Sequence, residues 1–238
     1  MIQSRFLLEL ILFFFAFFLP GYISQTGFPT NGAVGTSAML QSMLVGVPQF
    51  LLMAYVASLS RETSLESWGF SPFRGSDALR VVLVLLGCFA IFAPLMLLMT
   101  VLPSNVAKYL SSGFRWRLAG MSQIPLAVAF GLVAGYREEF FFRAYMLRRL
   151  EQFGFPMGLS VVVSTLLFSA GHVYQGPLGL ATAVGLGILF ATVYLKRRSL
   201  HVIALSHGLY NASVLCLSLF HTPSLSNAVE IGRFLQSR

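Results

Sequence analysis

The stretch MSQIPLAVAFGLVAGYREEFFFRAYMLRR, residues 121–149, decides the fold and points to the chemistry. Its apolar run is long enough to cross a hydrocarbon core, which takes about 20 residues of helix. Yet two adjacent carboxylates, Glu138 and Glu139, stand in it between Tyr136 and Phe140-Phe141-Phe142. An ionised side chain in mid-bilayer costs at least about 2.5–3.5 kcal/mol, so residues of this kind face a protein interior or a water-filled cavity. Read alone, the pair also fits a helix end at the membrane surface, with Arg137 snorkelling beside it. Spacing favours the interior. Glu139 and Arg143 are i and i+4, on one helix face and in the favourable acid-before-base order. Arg143 therefore neutralises Glu139, while Glu138 points about 100° away around the helix and is left free for other work.

The rest of the chain supports a membrane setting. Of 238 residues, 56% are apolar and only 10% charged, against about 25% charged in an ordinary soluble domain. One globular core of this length cannot hide so much apolar surface, so lipid must solvate much of it. Hydropathy predicts spans at about 6–23, 38–60, 79–102, 121–148, 157–174, 178–195 and 200–219. All of them are helical, because backbone groups in lipid need partners within their own segment. The fold class is an all-α polytopic membrane protein of seven to eight transmembrane helices, with the helices that carry candidate site residues in the C-terminal half. Arg5 followed by Phe6 to Leu19 resembles a signal peptide. Glu9 interrupts that run and no small-residue cleavage site follows, so it reads as a retained first helix. Residues 104–120 carry Lys108, Arg115 and Arg117 among apolar side chains and are expected to lie along the interface as an amphipathic helix.

The net charge is +8. The basic residues sit mostly at the ends of apolar runs, which suits anionic lipid and topology control and excludes a nucleic-acid face. Loop 20–37 is uncharged, whereas Arg5, Arg148-Arg149 and Lys196-Arg197-Arg198 are basic. The N-terminus is thus expected in the cytoplasm and 20–37 outside. Cys88 and Cys216 lie in apolar runs and read as core packing, too few for a disulfide framework or thiolate metal site.

Two further spans carry imidazoles. Phe168-Ser-Ala-Gly-His172 closes the fifth span, and His207-Gly-Leu-Tyr-Asn211 lies on the seventh, with His207 and Asn211 on one face. A lone histidine is usually a hydrogen-bonded core residue, and polar pairs also serve as interhelical glue. His201 and His221, at the two ends of the seventh span, read as interfacial. The joint occurrence matters more. If the last four spans bundle, Glu138, Glu139, Arg143, His172, His207 and Asn211 must seek one another or a shared cavity. A carboxylate and histidines around a water, with an amide donor nearby, are the parts for hydrolysis.

Glu138-Glu139-x-x-x-Arg143, then Phe168-x-x-x-His172, then His207-x-x-x-Asn211, resemble in order the three motifs of the CAAX-processing and bacteriocin-processing (CPBP) intramembrane endopeptidases. That family is also called Abi or type II CAAX prenyl endopeptidases. The resemblance covers about 120–219. It divides the chain into 1–119, which carries no motif, a protease-like core at 120–219, and a tail at 220–238. It implies an eight-helix fold and a cavity opening toward one membrane face. It further implies Glu138 as the base that activates water, assisted by His172, with His207 and Asn211 stabilising the oxyanion. Glu139 and Arg143 become the supporting ion pair, with Phe168 beside His172. The implied partners are a membrane protein or membrane-associated peptide as substrate, and the lipid bilayer. No cofactor is expected. Zn²⁺ held by Glu138, His172 and His207 is the alternative, although HExxH is absent.

Other readings are a proton- or cation-coupled transporter using the same groups as a relay, and a catalytically silent scaffold. The paired broken helices or repeated halves of many transporters are missing from the sequence. Asp77 is the only aspartate, which excludes a two-aspartate protease, and Gly158-Leu159-Ser160-Val161 is not the GxSG of rhomboid-type serine proteases. Short uncharged loops point to a prokaryotic plasma (inner) membrane.

Overall fold

The computed structural model describes residues 2–24, 31–33, 35–59, 64–110 and 115–220. His221 and nearly all of the tail at 220–238 lie outside the described residues. The chain is a helical, multi-pass membrane bundle of α1 (Ile2–Phe13), α2 (Leu19–Ser24), α3 (Thr36–Ser58), α4 (Gly75–Val101), α5 (Ser104–Leu110), α6 (Ile124–Glu139), α7 (Leu147–Gln152), α8 (Met157–Ala170), α9 (Gly176–Arg197) and α10 (Leu200–Leu217). Five helical segments are long and apolar enough to cross a membrane: Arg5–Ile23, Thr36–Ser58, Gly75–Val101, Val173–Arg197 and Leu200–Leu217. Met157–Ala170 is apolar but shorter. The predicted span at 121–148 is a continuous helix made of α6, a π-helical turn at Phe140–Met146, and α7.

Two boundaries differ from expectation. Among the described residues, the amphipathic helix expected over 104–120 is helical at Ser104–Leu110 and not at 115–120. Arg115–Arg117 is a short strand (β2) paired in parallel with Asn31–Ala33 (β1), so that Asn31 faces Arg115. Leu118 then donates its N–H to Ser218 Oγ at 3.1 Å, fixing this segment to the end of α10. These local ties outweigh the amphipathic pattern. The fifth span ends at Ala170, with Gly171 as its cap, so His172 sits in a turn past the helix. The His172 N–H reaches back to the Ser169 carbonyl at 2.8 Å.

α10 is the central element. Of its apolar window 56% is buried, against 17% for α3 and α4, whose outward leucines such as Leu44, Leu79 and Leu97 suit a lipid-facing periphery. α6 and α10 touch backbone to backbone. A Cβ on Gly131 would lie 2.5 Å from the Gly208 carbonyl oxygen, and one on Gly135 would lie 2.4 Å from that of Ala204. Small residues at helix crossings of this kind replace the hydrophobic drive that lipid removes.

Immediately after α6, Phe140, Phe141, Phe142 and Tyr145 are fully buried. Phe141 stacks on Phe18 of the first span with ring centres 4.4 Å apart. The first span is fixed a second time by charge. Glu9 Oε2 accepts from Tyr145 Oη at 2.9 Å and pairs with Arg149 at 3.1 Å. At the same end the turn before α4 plugs the bundle, since Gly69 accepts the Leu200 N–H at 2.9 Å and Trp68 stacks on Tyr145.

Gly135→Val should abolish recovery of monodisperse folded protein in detergent, because the new side chain meets backbone that cannot yield. Gly158→Ala, where a Cβ meets nothing within 4 Å, should leave size-exclusion profile and melting temperature unchanged. Normal behaviour of Gly135→Val would show that the α6–α10 contact is not what holds the bundle.

Candidate active site

Gly131, Gly135, Glu139 and Arg143 are successive i, i+4 positions, so the face that α6 presses against α10 delivers both charged residues into the interior. Glu139 and Arg143 are each 0% exposed, and Arg143 Nε lies 3.2 Å from Glu139 Oε2. That approach is off the hydrogen-bonding line, and among the described residues no aligned partner serves the Arg143 nitrogens. The guanidinium instead lies over Phe168, 4.2 Å from the ring centre, with Phe142 and Phe190 near 6 Å. Cation–π contact of this sort strengthens when water is excluded.

The other oxygen of Glu139 takes the third motif. His207 Nδ1 is 2.7 Å from Glu139 Oε1. An ionised carboxylate only accepts, so the proton of this bond lies on Nδ1, and Nε2 is left on the side of Glu138, 4.0 Å from its Oε2. Phe190 stacks on the His207 ring at 5.1 Å and holds its plane. The second motif is fixed in the same manner. His172 Nδ1 donates to the Phe168 carbonyl at 2.9 Å, which again leaves Nε2 as the free ring nitrogen. Both imidazoles are thus oriented by a bond at Nδ1.

Glu138 is the partly accessible carboxylate, with 18% of its side chain exposed and Arg137 3.6 Å away. Together with His172, Phe142, Phe168, Phe18 and Tyr22 it lines a cavity of about 70 Å³. A larger cavity, about 430 Å³, lies at the basic end between Glu66, Arg148, Glu151 and Arg198. It contains no imidazole and mixes both charge signs, so chemistry rather than size favours the smaller one.

Six of the seven residues singled out from sequence are in mutual contact or share this cavity: Glu138, Glu139, Arg143, Phe168, His172 and His207. Asn211 lies one turn beyond His207 on α10, half-buried, and does not line the cavity. His201 bonds the Tyr136 hydroxyl at 2.9 Å, in keeping with a role outside the site. The expectation that Glu138 is unpaired needs amendment, since Arg137 and His207 both flank it. The wall formed by Phe18, Gly21 and Tyr22 has no sequence signal. Glycines 131 and 135, in contrast, were readable as a small-xxx-small stripe.

Residues 120–213 match the family model described as type II CAAX prenyl endopeptidase Rce1-like. This stretch is thus similar to the CAAX-protease-like (CPBP) family. It is less than half of the chain and holds all seven residues. No curated protein and no solved structure matches the chain. The Rce1-like segment ends within α10 and excludes the first span, so one wall of the cavity comes from outside it.

Glu138, His172 and His207 are chemically suitable zinc donors, with both histidines anchored through Nδ1 as metal ligands usually are. Among the described residues, however, no three His, Cys, Asp or Glu side chains converge closely enough to hold an ion. The arrangement does not fit a resident metal as it stands.

Replacing Glu139 by Ala should strip Arg143 and His207 of their shared partner and cost on the order of 3–5 kcal/mol, the usual penalty for breaking a buried pair. Glu138→Ala, which breaks no fully buried pair, should cost far less. Melting temperatures of the two variants in one detergent check the difference, and equal losses would contradict the division of roles between the two carboxylates.

Proposed function

We propose that the chain is an intramembrane endopeptidase that hydrolyses a peptide bond of a membrane-associated protein or peptide, with Glu138 activating the water. One observation carries the reading: a carboxylate and an imidazole share a water-sized cavity inside an otherwise apolar bundle. The Rce1-like match over the same residues supports it.

In this reading Glu138 takes a proton from water as hydroxide adds to the substrate carbonyl carbon. The protonated Glu138 then returns that proton to the leaving amine as the C–N bond breaks. His172 Nε2 orients the water. His207, with a proton on Nε2, and Asn211 donate to the tetrahedral oxyanion. Asn211 reaches it once substrate has entered, since catalytic hydrogen bonds often tighten only in the complex. Glu139 stabilises a positive His207, and Arg143 balances Glu139. No step runs through a metal. The roles of these residues, the metal-free mechanism and a prokaryotic inner-membrane setting are parts of the proposal.

Peptide-end mapping of membrane proteomes from cells carrying the wild type or Glu138→Gln tests the reading. Fragments present only with the wild type are expected, while the variant inserts and melts normally. With a substrate so identified, His207→Ala and Asn211→Ala should each lower kcat by about 10²–10³ with little change in KM. Chelator should leave the rate unchanged. Full cleavage by Glu138→Gln would remove Glu138 from the role of base. Stoichiometric zinc whose removal and return switch activity off and on would replace the metal-free mechanism.

A further inference from the structure

The cavity shared by Glu138 and His172 measures about 70 Å³. That is room for a few water molecules, where pockets that hold organic ligands run about 300–1,000 Å³. Water fits, and a polypeptide does not. If the site cleaves peptides, as proposed above, one wall must move.

Most walls cannot. Phe142 and Phe168 are each about 1% exposed and packed against Arg143. Arg137 and Tyr174 also line the cavity, and the end of the first helix supplies a wall of its own through Phe18, Gly21 and Tyr22. Here Tyr22 lies against the backbone of Gly171, where a Cβ would come within 2.4 Å of its ring. Its hydroxyl donates to the Leu167 carbonyl at 2.8 Å. That carbonyl belongs to the last turn of α8, where the Gly171 N–H bonds the Phe168 carbonyl instead, at 3.2 Å. The next one, Phe168, is the carbonyl that anchors His172. Tyr22 thus closes the cavity and caps the helix end that positions His172, through one side-chain hydrogen bond and a ring contact rather than through backbone pairing.

We propose that Tyr22, from outside the Rce1-like segment, controls admission of a polypeptide to Glu138 and His172, the Tyr22–Leu167 bond being the latch. The wall swings away from Gly171 when substrate enters and returns to leave a water-sized space. The occupant admitted is an extended stretch of chain, since Gly171 and Gly21 offer backbone without side chains on either side of Tyr22.

Access is measurable without proteolysis. A cysteine placed at His172, or at Glu138 as a second reporter, in a Cys88→Ala, Cys216→Ala background reports how fast N-ethylmaleimide enters the cavity. Removing one hydrogen bond shifts an opening equilibrium by about 2- to 10-fold. Tyr22→Phe should therefore speed labelling by that factor. Tyr22→Ala should speed it further and admit a bulkier biotinylated maleimide. Tyr22→Phe keeps the ring packing and covers the case in which Tyr22→Ala does not fold. Unchanged labelling of both reporters in folded Tyr22→Phe overturns the latch. Faster labelling in Tyr22→Phe with no wild-type-dependent cleavage of any membrane protein leaves the latch standing and removes the protease reading, while cleavage that depends on the wild type with unchanged labelling does the reverse.

Discussion

The backbone contact between α6 and α10 is the constraint from which the site follows. Gly131 and Gly135 let α6 approach until a methyl group would collide with α10 carbonyls. At such a distance the next residue on the stripe, Glu139, meets His207, the immediate neighbour of Gly208, at 2.7 Å. One turn further, Arg143 meets Phe168 of α8. Three motifs far apart in the sequence are brought together by helices whose smallest residues are at their crossing. Any larger residue there would separate Glu139 from His207 before it disturbed the outer helices.

Burying that cluster is costly, and its composition shows how the cost is met. Arg143 and Glu139 are both inaccessible to water, and a buried pair gains little unless its remaining polar atoms are satisfied. Glu139 meets the condition at Oε1, through His207, while Oε2 has only the off-line approach of Arg143. Arg143 does so incompletely and relies on three aromatic faces. The result is a fixed carboxylate beside a second, more accessible one in the same helical turn. Two adjacent glutamates thereby acquire different environments, one fully buried and paired and the other partly exposed.

Much of this was legible in the sequence for a physical reason. In lipid-facing segments polar residues are rare, so the few present mark where helices must meet. The i, i+4 spacing of Glu139 and Arg143 fixed their pairing, although the π turn that begins at Phe140 had no visible signature. In the sequence Glu9 reads only as an interruption of an apolar run. Its partners Tyr145 and Arg149 lie more than 130 positions away, and no local pattern connects them. Tyr22 was silent for the same reason. A tyrosine near the end of a membrane helix ordinarily reads as an interfacial anchor, and only tertiary packing turns it toward Leu167. The expected helix over 104–120 failed because an amphipathic pattern does not register a strand partner supplied by residues 31–33.

The length of α8 completes the picture. Its 14 residues rise about 21 Å at 1.5 Å each, short of a hydrocarbon core of about 30 Å. The chain leaves the helix through a tight turn, in which the Gly171 N–H bonds the Phe168 carbonyl at 3.2 Å and the His172 N–H bonds the Ser169 carbonyl at 2.8 Å. Side chains complete the bonding of this helix end. The Phe168 carbonyl takes the His172 ring, and the Leu167 carbonyl takes Tyr22. A deliberately short helix thus creates the cavity, aims the imidazole into it, and makes the first helix a necessary part of the wall. In this chain the cavity beside the protease-like segment is therefore closed by residues from outside that segment, Phe18, Gly21 and Tyr22.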